Sequence, residues 1–340
     1  MNRKTERKLT YPIALLLSIA KRKTFEELAK EPGVSGDTMA RLVLESPITM
    51  EELIHFAKKI FRKKIYLLLD DTLILKIFSQ KIEGACDNYC SSDRRTCRSL
   101  CSVVAVLTDG NVAIPVTQKI WISREFNSSE YKKKWEIAQE LITEVRKHIS
   151  IYMVVMDGLY AVRPMIEWLS FHNIRFEMRM HANRVIEHKN ESYQLKKTPS
   201  LKLSGKRTKH TIKGSWKDIP LYFTAVRRRQ LNGHFTTVYQ VSNYKASARE
   251  HINAYGFRWN IEKFFRTAKQ KLGLNDCQSI KQEKQEAHIM SVFCAYTIAQ
   301  WVRVKQKLKN VEEAIKSIRQ SSSKIFQQEL RRFIGIFLCV

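Results

Sequence analysis

The spacing of apolar positions changes along the chain and predicts a different kind of element in each part. Helical spacing over the first sixty residues predicts short helices. From residue 65 the apolar runs IYLLLDDTLILKIF, CRSLCSVVAVLTDG and NVAIPVTQKIWI predict strands, the last two joined by a hairpin turn at Asp109-Gly110. Further on, a helix (about 129–148), the strand IYMVVMD, a helix (about 162–171) and the strand IRFEMRM alternate. This order predicts an α/β fold with a mixed sheet flanked by helices.

A stretch rich in Lys, Arg, Ser and Gly, residues 181–243, interrupts this alternation. It contains LYFTAVRRRQLNGHFTTVYQVS, which predicts a hairpin with Asn232-Gly233 at its turn. We therefore expect a β-rich insertion here. One long helix is predicted after it, from about Ser247 to Leu272, and the remaining chain has a helical, basic pattern.

The segment TFEELAKEPGVSGDTMARLVL has the pattern of a helix-turn-helix. Gly33 permits the tight turn and Ser35 can cap the second helix. Met39 and Leu42 of that helix would face inward. Thr38 and Arg41 are then available to contact DNA. The alternative is a helical hairpin that serves packing or dimerisation.

The net charge of +27 changes the functional picture, since 60 Lys and Arg oppose only 33 Asp and Glu. Such a charge favours polyanions, and nucleic acid above all, because neutralising phosphates releases condensed counterions. A basic bias that serves solubility is the alternative. The longest apolar run near the start, residues 11–20, is too short to span a membrane. The chain has seven cysteines, an odd number that cannot all pair in disulfide bonds within one chain. These features predict a reduced protein of the cytoplasm without a membrane segment.

A narrow polar stripe is the sharpest local signal. At 100° per residue, the polar side chains of AYGFRWNIEKFFRTAKQKLG fall within about 60° of one another. They are Tyr255, Arg258, Glu262 and Lys269. The apolar side chains form a separate face: Phe257, Ile261, Phe264 and Ala268. A lone glutamate there could be a solvated charge, but one flanked by two cations and a phenol suits a metal ligand beside phosphate.

Two strands end in carboxylates. Asp157 follows MVVM, at the carboxyl end of a buried strand, where open α/β sheets place their ligands. Asp70 and Asp71 follow YLLL, and alternation sends their side chains to opposite faces, so only one can join a site with Asp157. If the two strands are adjacent, one aspartate from each strand and Glu262 of the helix converge on one point. Their repulsion then implies Mg²⁺ or Mn²⁺, and two such ions can activate a water or a 3′-hydroxyl.

These residues resemble a known family. Tyr255, Arg258, Glu262 and Lys269 match the Y-(2)-R-(3)-E-(6)-K signature of the DDE transposases of bacterial insertion sequences. The order LLLDDT, VVMDGLY, β-rich insertion and signature helix is also similar to that family, over about residues 65–278. The resemblance implies a ribonuclease-H-like core, dependence on Mg²⁺, and cut-and-paste movement of DNA.

Carried over residue by residue, the resemblance implies three carboxylates that are both catalytic and metal-binding: Asp70, Asp157 and Glu262. The family's D-x-T or D-x-S pattern favours Asp70 over Asp71, although a slip of one residue reverses which of the two faces the site. The groups expected to grip DNA phosphates are Tyr255, Arg258 and Lys269. Trp259 either stacks on an unpaired base or packs internally.

The chain is thus predicted to be a transposase that binds two Mg²⁺ ions, for which Mn²⁺ would substitute. Its partners would be double-stranded DNA (element ends and target) and a second copy in a synaptic homodimer, and its location the bacterial nucleoid. The predicted segments are a helical DNA-binding module (1–60), the core (61–180), the β-rich insertion (181–243), the signature helix (244–280) and a helical tail (281–340).

Several alternatives stay open at this point. The protein could be a catalytically decayed or repurposed transposase that only binds DNA, a nuclease that never joins strands, or a regulator built on the N-terminal helices. Cys86, Cys90, Cys97 and Cys101 could hold zinc but are more simply reduced structural thiols. The basic run 227–229 is either a solvated face or a contact to the DNA backbone.

Overall fold

The computed structural model describes residues 3–45, 47–90, 94–230, 232–320 and 333. It divides into two compact units. The first unit contains residues 1–63, 71–150 and 260–340, and the second contains residues 64–70 and 151–259. Most of the segment 321–340, the end of the predicted helical tail, lies outside the described residues.

The first unit opens with four helices: α1 (Arg3–Leu17), α2 (Phe25–Ala29), α3 (Gly36–Glu45) and α4 (Met50–Ile60). Thr24 caps α2 by accepting a hydrogen bond from the Glu27 backbone N–H. Thr49 and Glu52 form a reciprocal capping box at the start of α4. Gly33, with φ of 68°, makes the turn between α2 and α3. The predicted short helices are confirmed.

The strands of the first unit are the part of β1 (Tyr66–Leu75) from Asp71 onward, together with β2 (Cys86–Cys90), β3 (Arg95–Thr108) and β4 (Ala113–Trp121). β2 and β4 pair antiparallel with β3. The β3–β4 hairpin turns at Gly110, where φ is 93°, as predicted. Helix α5 (Lys134–His148) packs on β3 and β4. It begins later than predicted, where the Glu136 side chain accepts from the backbone N–H of Lys133.

The first unit ends in helices α8 (Trp259–Lys271), α9 (Gln282–Lys305) and α10 (Val311–Gln320), although residue 259 itself belongs to the second unit. α9 is buried on nearly all sides from residue 287 to 302, because α1, α10 and β4 pack around it. Among the residues that the structure describes, none of the helices has the length and apolar character needed to cross a membrane.

The second unit is a mixed sheet with the order β1-β5-β6-β11-β10-β9-β7-β8. Its strands are the first part of β1, with β5 (Met153–Met156), β6 (Phe176–Met180), β7 (Val185–His188), β8 (Glu191–Gln194), β9 (Lys209–Trp216), β10 (Ile219–Arg229) and β11 (Phe235–Ser242). β1, β5 and β6 are parallel, and the β10–β11 hairpin turns at Gly233 as predicted. Helices α6 (Arg163–Phe171) and α7 (Ala248–Gly256) complete this unit. The predicted mixed α/β fold is confirmed, and it is consistent with a ribonuclease-H-like core.

The single long helix expected between residues 247 and 272 was wrong, because the structure divides it into α7 and α8. Gly256 ends α7, and glycine is disfavoured in a helix interior by about 1 kcal/mol relative to alanine. The backbone N–H groups of Phe257 and Arg258 then bond to carbonyls only three residues back, at Ala254 and Tyr255. This tight turn interrupts the regular 100° rotation on which the predicted stripe depended.

Candidate active site

Asp70 and Asp157 lie on neighbouring parallel strands, Asp70 within β1 and Asp157 just after the end of β5. In the register of β1 and β5, Leu69 pairs with Met156, so each aspartate is the next residue on its strand. Both side chains are half-buried. Gly158 follows Asp157 at a point where a Cβ atom would lie 3.3 Å from the Arg179 carbonyl oxygen, so the close approach there suits a glycine.

Arg258 is bonded to the first of these carboxylates. Its Nη1 donates to Oδ2 of Asp70 over 2.7 Å, and both side chains are less than one-fifth exposed. An ion pair with so little solvent around it is stronger and better oriented than one on the surface. The guanidinium carbon also lies 5.8 Å from the centroid of the Tyr255 ring.

Tyr255 is bonded to the second carboxylate. Its hydroxyl donates to Oδ1 of Asp157 over 3.2 Å. Burial raises the pKa of Tyr255 well above its ordinary value, and Asp157 raises it further, against the opposing effect of Arg258. The phenol therefore stays protonated and remains a hydrogen-bond donor at neutral pH.

Asp71 has different partners. Its Oδ2 accepts a hydrogen bond from Nζ of Lys134 over 2.7 Å, and Sγ of Cys101 lies 3.5 Å away. Burial, aided by Asp71, raises the pKa of the Cys101 thiol to about 12, so this group remains a thiol. Burial alone would lower the pKa of Lys134, but its pKa is raised overall, with the Asp71 carboxylate among the causes, so the amine stays charged. Asp71 is thus part of a structural ion pair.

Arg179 on β6 is a further cation near the site that the sequence pattern did not indicate. Met178 pairs with Met156, so Arg179 is the next residue along, beside Asp157, and its side chain is exposed. Its charge also lowers the pKa of Tyr255. The arginine in IRFEMRM could have been singled out as the one charged position near the end of that strand, but only the strand register brings it beside Asp157.

Glu262 and Lys269 lie on α8, in the first unit. They are seven residues apart, so they lie on one face of that helix, as predicted. Both are partly exposed, and the helix is buried elsewhere through Ile261, Phe264, Phe265 and Ala268. Trp259, at the start of this helix, is 58% exposed, so its ring is not packed inside the second unit.

The residues considered for a helix-turn-helix lie on α3 and at the turn before it. Ser35 accepts a hydrogen bond from the Thr38 backbone N–H over 3.1 Å. Met39 and Leu42 are buried, while Arg41 is exposed and donates to the Thr38 hydroxyl over 3.3 Å. Together, Thr38 and Arg41 form a polar, solvent-facing edge on α3.

The four cysteines considered for zinc lie on β2 and β3, where Cys86 pairs with Ser99 and Asn88 pairs with Cys97. Within the described ranges, no three His, Cys, Asp or Glu side chains are grouped as metal ligands would be. The basic run on β10 is partly exposed, with the Arg227 guanidinium 4.1 Å from the centroid of the Phe235 ring.

A comparison with families of known proteins gives one informative match. The model of the family described as "Transposase DDE domain" matches residues 98–298, which is more than half of the chain. No curated protein matches this chain.

Proposed function

Because this chain belongs to the transposase DDE-domain family, we propose that it is a cut-and-paste transposase of a bacterial insertion sequence. It hydrolyses a phosphodiester bond at each element end and joins the freed 3′-hydroxyl to target DNA. The observation that carries the proposal is the pair of neighbouring carboxylates, Asp70 and Asp157, each bonded to a residue of the Tyr-Arg-Glu-Lys signature.

A pair of carboxylates, without a third grouped His, Cys, Asp or Glu among the described residues, offers oxygen ligands of the kind that a divalent metal prefers. Mg²⁺ prefers oxygen ligands, and proteins commonly hold it by one or two carboxylates together with water and substrate phosphates. Asp70 and Asp157 supply two such carboxylates from adjacent strands. Glu262 is the third ligand that the family resemblance implies. When bound, two Mg²⁺ ions, or Mn²⁺ in their place, would activate the attacking oxygen and stabilise the departing one.

The choice of Asp70 over Asp71 is supported by their partners. Asp70 is bonded to Arg258, a signature residue, whereas Asp71 is bonded to Lys134 and lies beside a buried thiol. Both aspartates pair with a cation, but only the partner of Asp70 belongs to the signature, and Asp157 is aligned with Asp70 on the neighbouring strand. We therefore assign the metal-binding role to Asp70.

The chain's own cations would hold the DNA strand. Arg258 and Tyr255 orient the two aspartates before DNA binds. Arg258 can also bind a phosphate bidentately, and Lys269 can act as a point charge. Arg179, exposed beside Asp157, would bind a phosphate close to the bond that is cut. Positioning of this kind lowers the barrier by fixing the reacting groups in line.

DNA recognition is proposed for two further segments. The helices at 1–60 would act as a DNA-binding module, with Thr38 and Arg41 at the base edges or backbone. The β-rich insertion at 181–243 would contribute backbone contacts through Arg228 and Arg229, both exposed. Cleavage of two element ends would require a synaptic homodimer.

A cleavage and joining assay tests this proposal. Labelled duplexes carrying the DNA that flanks the coding sequence on each side are incubated with the protein in Mg²⁺, Mn²⁺ or EDTA, with a plasmid as target. A transposase gives metal-dependent cuts and labelled plasmid. Cuts without joining would instead indicate a nuclease. Salt-sensitive binding without cuts would indicate a decayed enzyme, and either of these results contradicts the proposal.

A further inference from the structure

A cavity of about 440 Å³ lies in the second unit, away from the paired aspartates. Its volume is within the range of ligand pockets, roughly 300–1,000 Å³. The residues that characterise it are Lys64, Tyr66, Tyr152, Arg175, Tyr244 and Phe257. We call it the aromatic-basic cavity.

The aromatic-basic cavity lies toward the opposite ends of the strands that carry the aspartates. Tyr66 begins β1 and Met153 begins β5, and both residues line the cavity. Tyr66 is four residues from Asp70, or roughly 13 Å along an extended strand. The cavity is therefore a separate place in the fold and not an extension of the carboxylate site.

Its aromatic rings form a connected group. The ring centroids of Tyr66 and Phe257 are 4.4 Å apart, and those of Tyr66 and Tyr152 are 5.5 Å apart. These rings and that of Tyr244 remain partly exposed. Partly exposed aromatic rings offer faces on which a planar base can stack.

Its cations are arranged around the same rings. Nζ of Lys64 lies 4.3 Å from the centroid of the Tyr152 ring, and Arg175 donates to the Tyr152 hydroxyl over 3.1 Å. Lys245 is a third cation that lines the cavity. In the part of the chain that the structure describes, no carboxylate lies within ion-pair distance of Lys64, Arg175 or Lys245.

The single acid that lines the cavity is already engaged. Oε2 of Glu250 accepts a hydrogen bond from the Ser247 backbone N–H, as part of the capping box of α7. The cavity therefore combines three cations, four aromatic rings and one occupied carboxylate. That composition matches a ligand with both a phosphate and a planar base.

We propose that the aromatic-basic cavity binds one nucleotide of a DNA strand, with its base against Tyr152 or Tyr66 and its phosphate against Arg175 and Lys64. The identity of the strand rests on the proposed function, because a transposase exposes strand ends when it cuts. Recognition itself depends only on base and phosphate. A free mononucleotide has the same chemistry, and the experiment separates the two sources.

The test is binding of a 5′-phosphorylated, fluorescently labelled oligothymidylate to the full chain in EDTA, where no cutting occurs. Arg175→Gln and Lys64→Gln should each weaken binding and lower the slope of log affinity against log salt by about 0.7, the value for one contact to a single strand. Tyr152→Leu should weaken binding about fivefold or more without changing that slope, since a stacked base is lost. Tyr152→Phe keeps the ring and should bind within twofold of wild type.

Lys147→Gln is the matched control, because it removes one exposed charge from α5 in the other unit. Competition by unlabelled thymidylate would identify a mononucleotide site, and competition by the oligomer alone would identify a strand site. Both results support the proposal.

Two results would overturn the inference. One is equal binding by the Arg175, Lys64 and Lys147 variants, and the other is competition by inorganic phosphate as effective as that by thymidylate. Cleavage of element-end DNA by the same preparations is measured separately. Normal cleavage with unaltered oligothymidylate binding would contradict this inference alone and leave the proposed function intact.

Discussion

The guanidinium of Arg258 is bonded to the carboxylate of Asp70 over 2.7 Å, although 188 residues separate them in sequence. Asp157 occupies the equivalent position on the neighbouring strand, so two negative charges lie side by side. Neighbouring like charges repel each other, and a cation bonded to one of them offsets that repulsion. Arg258 therefore stabilises the carboxylate pair in the absence of metal.

Replacing Asp70 and Asp71 with asparagine, one at a time, should separate the roles of these two aspartates. Asp70→Asn should abolish cleavage, and the relief of repulsion with Asp157 should offset part of the stability that is lost when Arg258 loses its carboxylate. Asp71→Asn should keep cleavage within about tenfold of wild type, but lower the free energy of unfolding by about 1–2 kcal/mol, because Lys134 loses its hydrogen-bonded carboxylate. Parallel cleavage assays and urea unfolding curves measure both. The reverse pattern would transfer the metal-binding role to Asp71.

Tyr255→Phe removes the hydroxyl that donates to Asp157. A hydrogen bond to a charged group contributes about 1.5–3 kcal/mol, so cleavage should fall about 10- to 100-fold while DNA affinity changes little. Tyr222→Phe on β10 is the matched control and should cleave normally. Single-turnover rates with saturating DNA check this prediction. A rate equal to wild type would mean that the hydroxyl does not orient Asp157 in the working enzyme.

Arg41→Gln should reduce affinity for element-end DNA, since its exposed guanidinium would contact DNA from α3. A phosphate contact predicts a fall of about 0.9 in the slope of log affinity against log salt. Its stability should change by less than about 0.5 kcal/mol, as expected at an exposed site. Lys30→Gln, an equal charge change on the same module, is the control. Equal slopes for the two variants would favour the packing alternative for these helices.

The folded protein should lose stability in acid because of the buried His288. Its Nδ1 accepts from the Tyr11 hydroxyl over 2.8 Å and its Nε2 donates to the Gly273 carbonyl over 2.9 Å. Burial, with Lys76, lowers the pKa of His288 to about 3. The folded state therefore holds the ring neutral, and its contribution to stability is complete above pH 6.5 and is lost as the pH falls toward 3.

Urea unfolding between pH 7.5 and 5 measures this effect. Below pH 6.5 the free energy of unfolding of wild type should fall more steeply than that of His288→Gln, by up to about 1.4 kcal/mol per pH unit. The slopes are compared, because the substitution itself lowers stability at every pH. Parallel slopes would show that His288 does not titrate differently in the folded and unfolded states.

The parts of the fold that follow from local physics could be predicted from the sequence. Gly33 and Gly233 indicated turns, and alternation along β1 separated Asp70 from Asp71. The division of the signature segment at Gly256 was not predicted, because a helical wheel assumes a continuous helix. A single glycine within a strong amphipathic pattern does not reveal by itself whether the helix continues.

The remainder of the site depends on pairing between distant segments. Arg179 lies beside Asp157 only because β5 and β6 are parallel in a particular register. The aromatic-basic cavity likewise draws residues from several separate segments, including Tyr66, Tyr152 and Tyr244. No spacing rule along the sequence links such positions, so structure was needed to find them.

We propose that Glu262 acts with Asp70 and Asp157 in metal-dependent cleavage. The most direct measurement compares wild type with Glu262→Gln on labelled element-end DNA in Mg²⁺, with binding followed in the same samples and Glu283→Gln on α9 as the matched control. Glu262→Gln should bind DNA as wild type does but make no cuts, while the control cuts normally. Normal cleavage by Glu262→Gln would show that this carboxylate is not needed for the reaction.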